Sequence, residues 1–106
     1  MSGNERRRNA RYKVALPLEI RREGQSFGIK GETTDISQTG FYYSTMMQMP
    51  VGTTFVVTVW FADQSLTCNA LVRTSDPGVG NGIEFADLDP QSQMAFAEFL
   101  ATLPES

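Results

Sequence analysis

The sequence predicts a mainly β protein, a six-stranded antiparallel β-barrel with a C-terminal α-helix. Three observations lead there. From Val14 onward, apolar and polar residues alternate in one short segment after another, the period of a strand with one buried face. Glycine, proline and polar turn residues punctuate those segments. After Asp89 the period changes from two to that of a helix. A chain of 106 residues has room for one such core, whereas two domains would each be too small to bury enough.

The first strand is expected from Val14, where Val14, Leu16, Leu18 and Ile20 alternate with Ala15, Pro17, Glu19 and Arg21, and Pro17 points to an edge or a bulge. Glu23-Gly24-Gln25 reads as a turn. Phe27 to Ile36 forms a second strand, rich in Thr and interrupted by Gly28 and Gly31, and it runs into Asp35-Ile36-Ser37-Gln38-Thr39-Gly40. Phe41 to Thr45 leaves that segment as a third. After a turn at Met49-Pro50-Val51-Gly52 comes the clearest hairpin, with Phe55, Val57, Val59 and Phe61 on one face, Leu66, Cys68, Ala70 and Val72 on the matching face, and a polar tip at Asp63-Gln64. A Gly-rich loop containing Pro77 is expected from Ser75 to Asn81, with the last strand at Gly82-Ile83-Glu84-Phe85.

Asp89 can cap a helix with Pro90 at its first position, and Pro104 marks its end. Phe96, Phe99, Leu100 and Leu103 fall at i, i+3, i+4 and i+7, a single apolar stripe. Burying a large apolar side chain is worth about 1.5 to 3 kcal/mol, so this helix should close one opening or side of a curled sheet rather than face water.

Composition narrows the chemistry. No apolar run approaches the roughly 18 residues that cross a bilayer, and the N-terminus opens polar and arginine-rich, so a cytoplasmic protein without a secretory signal is expected. Cys68 is the only cysteine, which leaves no internal disulfide and suggests a small buried hydrophobe. There is no histidine, so Ser-His-Asp or Cys-His catalysis and His/Cys metal sites cannot be built from this chain. No nucleophile and base pair is visible, and a non-enzymatic protein with neither metal nor cofactor is expected.

The net charge of −3 hides an asymmetry. Residues 1–30 carry eight Lys/Arg against Glu5, Glu19 and Glu23, whereas residues 31–106 carry Arg73 against nine acids. A short cationic arm on an acidic body suits a small, compact anion better than a long nucleic acid, whose binders usually spread positive charge over a face. No DNA or RNA polymer is therefore expected as a partner.

Two motifs stand out. In Arg6-Arg7-Arg8-Asn9-Ala10-Arg11, the spacing Arg7-x-x-x-Arg11 puts two guanidinium groups just before the first strand, and arginine can hold phosphate bidentately, address a guanine edge or stack on a purine. On its own this is a solvated charge run. In Asp35-Ile36-Ser37-Gln38-Thr39-Gly40, the carboxylate can accept from the N–H groups of guanine's Watson–Crick edge, a serine follows two residues on, and Gly40 lets the backbone turn or approach a ligand. On its own this is an Asx-type turn. Three weaker features read blandly. Gly78-Val79-Gly80-Asn81-Gly82 precedes no helix and reads as a turn, and Met46, Met47 and Met49 fit core filling or a turn contact better than a partner surface. Trp60 is either covered by the helix on the barrel exterior or an exposed contact.

Together the two motifs, in a β-rich chain of this length, resemble the PilZ domain family: Arg7 and Arg11 match R-x-x-x-R, Asp35, Ser37 and Gly40 match D/N-x-S-x-x-G, and Gly80-Asn81-Gly82-Ile83-Glu84-Phe85 is similar to the family's late glycine-plus-strand segment. The resemblance implies a six-stranded barrel with a C-terminal helix and binding of cyclic di-GMP between the arm and the barrel surface. It implies that Arg7 and Arg11 contact guanine and phosphate, and that Asp35, Ser37 and Gly40 hold a guanine edge. In similar domains an arginine immediately before R-x-x-x-R is associated with an intercalated ligand pair. Here that residue is Arg6, and with Arg8 it would neutralise the four phosphates of two molecules per site. Residues 1–12 are thus expected to be a flexible arm, ordered by ligand so that the signal reaches a protein partner, and 13–106 the barrel with its helix. The alternative is a PilZ-type protein–protein adaptor with little nucleotide affinity, although such members usually lack the motif arginines.

Overall fold

The computed structural model describes residues 10–22, 24–25, 28–45 and 49–104. Among these residues, six strands, β1 (Pro17–Arg21), β2 (Ile29–Ile36), β3 (Gly40–Ser44), β4 (Thr54–Phe61), β5 (Gln64–Asp76) and β6 (Gly80–Phe85), precede one helix, α1 (Pro90–Leu100). All neighbouring strands are antiparallel, and the order β1-β2-β3-β6-β5-β4 closes through the pairing of β1 with β4. The chain is therefore the mainly β, six-stranded antiparallel barrel with a C-terminal helix that its alternation predicts.

The inward faces follow that alternation. Leu18 and Ile20 of β1, Phe55, Val57, Val59 and Phe61 of β4, and Leu66, Cys68, Ala70 and Val72 of β5 are all buried. Burial pushes the Cys68 thiol up to about 11, as expected of a packing group rather than a reactive one. Met49 joins the core, while Met46 and Met47 lie outside the described residues. Trp60 is on the outer face of β4 and 40% exposed.

Four details differ from the sequence expectation. Pro17 is neither at an edge nor in a bulge: a closed barrel has no edge strand, and Pro17 is the first residue of β1, where a missing N–H is tolerated. Chain 14–16 runs beside β2 without joining β1 as regular strand. Its backbone is held by Thr33, whose hydroxyl donates to Val14 O at 2.6 Å and accepts from Leu16 N at 3.0 Å. The β4–β5 turn is Ala62-Asp63, one residue earlier than expected, because Phe61 pairs with Gln64. The expected loop from Ser75 to Asn81 shrinks to Pro77–Val79, since Ser75 pairs with Asn81 and Asp76 with Gly80, and Gly78 takes the positive φ of 75° that the tight turn requires.

Helix α1 lies at the barrel end formed by the C-termini of β4 and β6. Phe96 meets Phe61 and Phe85 edge-on at centroid distances of 5.2 and 5.9 Å, and Phe85 in turn meets Phe41 at 5.8 Å. The apolar stripe thus plugs one opening. Asp89 caps the helix by accepting from Ser92 N at 3.1 Å, and Pro90 sits in its first turn. The helix ends at Leu100, before Pro104, in tighter turns through Thr102 and Leu103. Among the described residues, no helix is long and apolar enough to cross a membrane.

Candidate functional site

Two β-bulges shape the outer wall of the barrel. On β2, Thr33 pairs with Tyr43 and Asp35 with Tyr42, so Thr34 is an extra residue. Without it, strict alternation would turn Asp35 inward with Thr33. The bulge sends both Thr34 and Asp35 outward and returns Ile36 to the core. On β5, Val72 pairs with Ile83 and Thr74 with Gly82, so Arg73 is the extra residue and points outward. Between the bulges a continuous outward row crosses four strands: Asp35, Tyr42, Gly82 and Thr74.

The end of the N-terminal arm is stitched to one side of this row. Tyr12 and Ile36 exchange two backbone hydrogen bonds of 2.9 Å, the only contact of ladder type that the segment makes among the described residues. That bridge places Arg11 beside Asp35, with a guanidinium-to-carboxylate distance of 2.6 Å. The pair is open to solvent, the Arg11 side chain being 57% and the Asp35 side chain 27% exposed. Two motifs separated by most of two strands thus meet in space.

The turn after Asp35 is held by its own serine. Ser37 N donates to Gly40 O at 2.8 Å, Thr39 N donates to the Ser37 hydroxyl at 3.3 Å, and that hydroxyl lies 3.2 Å from the Thr39 hydroxyl. Ser37 is buried and its hydroxyl is engaged within the turn, so it holds the loop that follows Asp35. Gly40 meets a steric demand: a Cβ there would collide with Ile83 O of β6. Phe85 N donates to Thr39 O at 2.9 Å, which fastens the turn to the end of β6.

Arg11, Ser37, Thr39, Gly40, Tyr42 and Thr74 line a shallow groove of about 240 Å³ that extends to Gly82, Glu84 and Arg73. Its charges are mixed. Arg11 faces Asp35 on one side, and Arg73 lies 3.7 Å from Glu84 on the other, in a loose, exposed pair. Tyr42 donates its phenol to Asp76 at 2.7 Å. That bond, partial desolvation and the negative charges of Asp76 and Asp35 raise the phenol's pKa, so it stays protonated at neutral pH.

Of the residues singled out from sequence, Arg11, Ser37 and Gly40 line this groove and Asp35 stands beside it through its pair with Arg11, whereas Arg6, Arg7 and Arg8 lie outside the described residues. Sequence reasoning missed Thr33, which ties down the chain behind Arg11, and Tyr42, Arg73 and Thr74, which complete the groove. A threonine inside a strand next to the motif was the one local signal for Thr33. The others depend on register. Among the described residues no cluster of His, Cys, Asp and Glu could hold a metal.

Comparison with known proteins gives a matching family and a matching fold. The family model for the PilZ domain matches residues 5–102. Among solved structures, the chain is similar to the inhibitor of motility MotI/DgrA of Bacillus subtilis, with a TM-score of 0.73 and 16% identity over 88% of this chain and 48% of that one. It is also similar to the PilZ domain of CeSA from a cellulose-synthesizing bacterium, with a TM-score of 0.64 and 19% identity over 87% of this chain and 96% of that one. The chain therefore spans about half of MotI/DgrA and nearly all of the isolated domain, and at these identities the likeness is one of fold. No curated protein matches.

Proposed function

Since the chain belongs to the PilZ domain family, a family of cyclic di-GMP receptors and adaptors, we propose that it is a receptor that binds cyclic di-GMP between its arginine-rich arm and the groove beside Asp35. The observation that carries this is the meeting of Arg11 and Asp35 at 2.6 Å on the outer wall, which joins the two motifs into one surface.

The chemistry supports the roles. Asp35 is an acceptor aimed outward by the Thr34 bulge and is suited to the N–H donors of a guanine edge. Arg7 and Arg11 contact phosphate and guanine, and Arg6 and Arg8 neutralise the remaining phosphate charge of a paired ligand, two molecules per site. Ser37 and Gly40 serve by building the turn that follows Asp35 and letting β3 lie against β6. An exposed ion pair like Arg11–Asp35 is worth about 0 to 1 kcal/mol, whereas a charge-assisted hydrogen bond contributes about 1.5 to 3 kcal/mol, so a ligand can re-engage both groups at little cost. Binding orders the arm, and the altered surface acts on a protein partner in the cytoplasm.

Calorimetric titration of cyclic di-GMP into the wild type, Arg7→Ala and Asp35→Ala tests this. Micromolar binding by the wild type is expected, weakened by about 1.5 to 3 kcal/mol in each variant, with a stoichiometry of two. Wild-type protein that takes up no ligand heat would overturn the receptor reading in favour of a protein–protein adaptor.

A further inference from the structure

Tyr42 occupies the centre of the outward row between the two bulges, and nothing in the motif reading uses it. Its register partners are Asp35 on β2 and Gly82 on β6, so on one side it has the carboxylate and on the other a residue with no side chain. Directly paired residues on one face of a sheet bring their Cβ atoms within about 5 Å of each other. The ring leans toward the far end of β6, where a Cβ built on Gly80 would lie 2.8 Å from Tyr42 Cε2. Its phenol is tied to Asp76 across the β5–β6 ladder at 2.7 Å. The ring is therefore anchored at its tip and partly exposed, next to glycines that leave backbone rather than side chains around it.

On a barrel wall the ordinary job of a tyrosine is cross-strand packing, yet its direct partner on β6 is Gly82 and the ring leans over Gly80, which leaves Glu84 as the neighbouring β6 side chain on that face. A held aromatic ring in a groove lined by the Arg11 guanidinium, with the Asp35 carboxylate beside it, is the arrangement by which proteins seat an unpaired base: the ring stacks and the polar groups read the edge.

Resting on the cyclic di-GMP reading above, we infer that Tyr42 is the stacking platform for one guanine of the ligand, with Asp76 holding the ring in place and Asp35 accepting from the base edge. Tyr42 thereby selects for a purine dinucleotide over a phosphorylated ligand of similar charge without a base. The neutral phenol suits this role, because a phenolate would repel the phosphates.

The test uses the full chain, cyclic di-GMP and two variants. Tyr42→Phe keeps the ring and loses the tether, and Tyr42→Thr removes the ring while keeping strand propensity. Titration is expected to show Tyr42→Thr between about fivefold and 150-fold weaker than wild type, with Tyr42→Phe restoring most of the affinity. In proton NMR, the guanine H8 signal of bound ligand should move upfield with wild type and Tyr42→Phe but not with Tyr42→Thr. Thermal midpoints of the three proteins separate loss of contact from loss of fold. If wild type binds and Tyr42→Thr binds equally well, the platform is wrong and the receptor reading stands. If Tyr42→Phe is as weak as Tyr42→Thr, the phenol rather than the ring matters, and stacking is overturned. If wild type itself does not bind, both ideas fall.

Discussion

At the scale of single residues, the most consequential side chain is one that contacts no expected ligand. Thr33 is buried and uses its hydroxyl twice, donating to Val14 O and accepting from Leu16 N, while its own N–H donates to Leu16 O. It thereby replaces the regular ladder that chain 14–16 lacks and fixes the path by which Arg11 reaches Asp35. Thr33→Val keeps the shape and leaves a backbone donor and acceptor without that partner. It is expected to lower unfolding stability by about 1 to 3 kcal/mol in urea denaturation. Asp35 could be nominated from sequence because its chemistry is carried by residue type. Its outward aim could not, because a strand read by alternation from Thr33 would have turned it inward.

At the scale of elements, α1 was the most legible part of the chain, because its cap, its proline and its apolar stripe are all local in sequence. The cap also predicts a pH dependence. Hydrogen bonds from Ser92 hold the Asp89 carboxyl below its ordinary value of 3.8. A carboxyl with a depressed folded pKa adds stability above its unfolded pKa, and that contribution is lost as pH falls through the folded value. Asp89→Ala should therefore lower the thermal midpoint fully above about pH 5, with the gap to wild type closing as pH drops below 3.8. The strands were legible in their faces and less so in their limits. The β5–β6 ladder continues to Asp76 and Gly80 because Ser75 and Asn81 find each other across the turn, a pairing that overrides the loop character of the Gly- and Pro-rich segment between them.

At the scale of the whole molecule, the arm and the barrel are joined near the site by the two Tyr12–Ile36 hydrogen bonds. Ala10, just before that bridge, is already buried. In the proposed relay, each arm residue that ligand orders costs roughly 1 to 2 kcal/mol of backbone entropy, which its contacts to the ligand must offset. Amide exchange from Arg6 to Arg11 should slow when cyclic di-GMP is added; the same exchange rates at ligand saturation would remove the arm-ordering relay. The sequence by itself determined which residues face the core and where the helix lies, and it nominated Arg11 and Asp35, since alternation, caps and residue chemistry are local. Only the tertiary structure decided that β3 lies against β6, that bulges at Thr34 and Arg73 turn Asp35 and its neighbours outward, and that Tyr42 reaches Asp76. Those outcomes depend on hydrogen-bond register between strands far apart in the chain, and register is settled by the closure of the whole barrel rather than by any one segment.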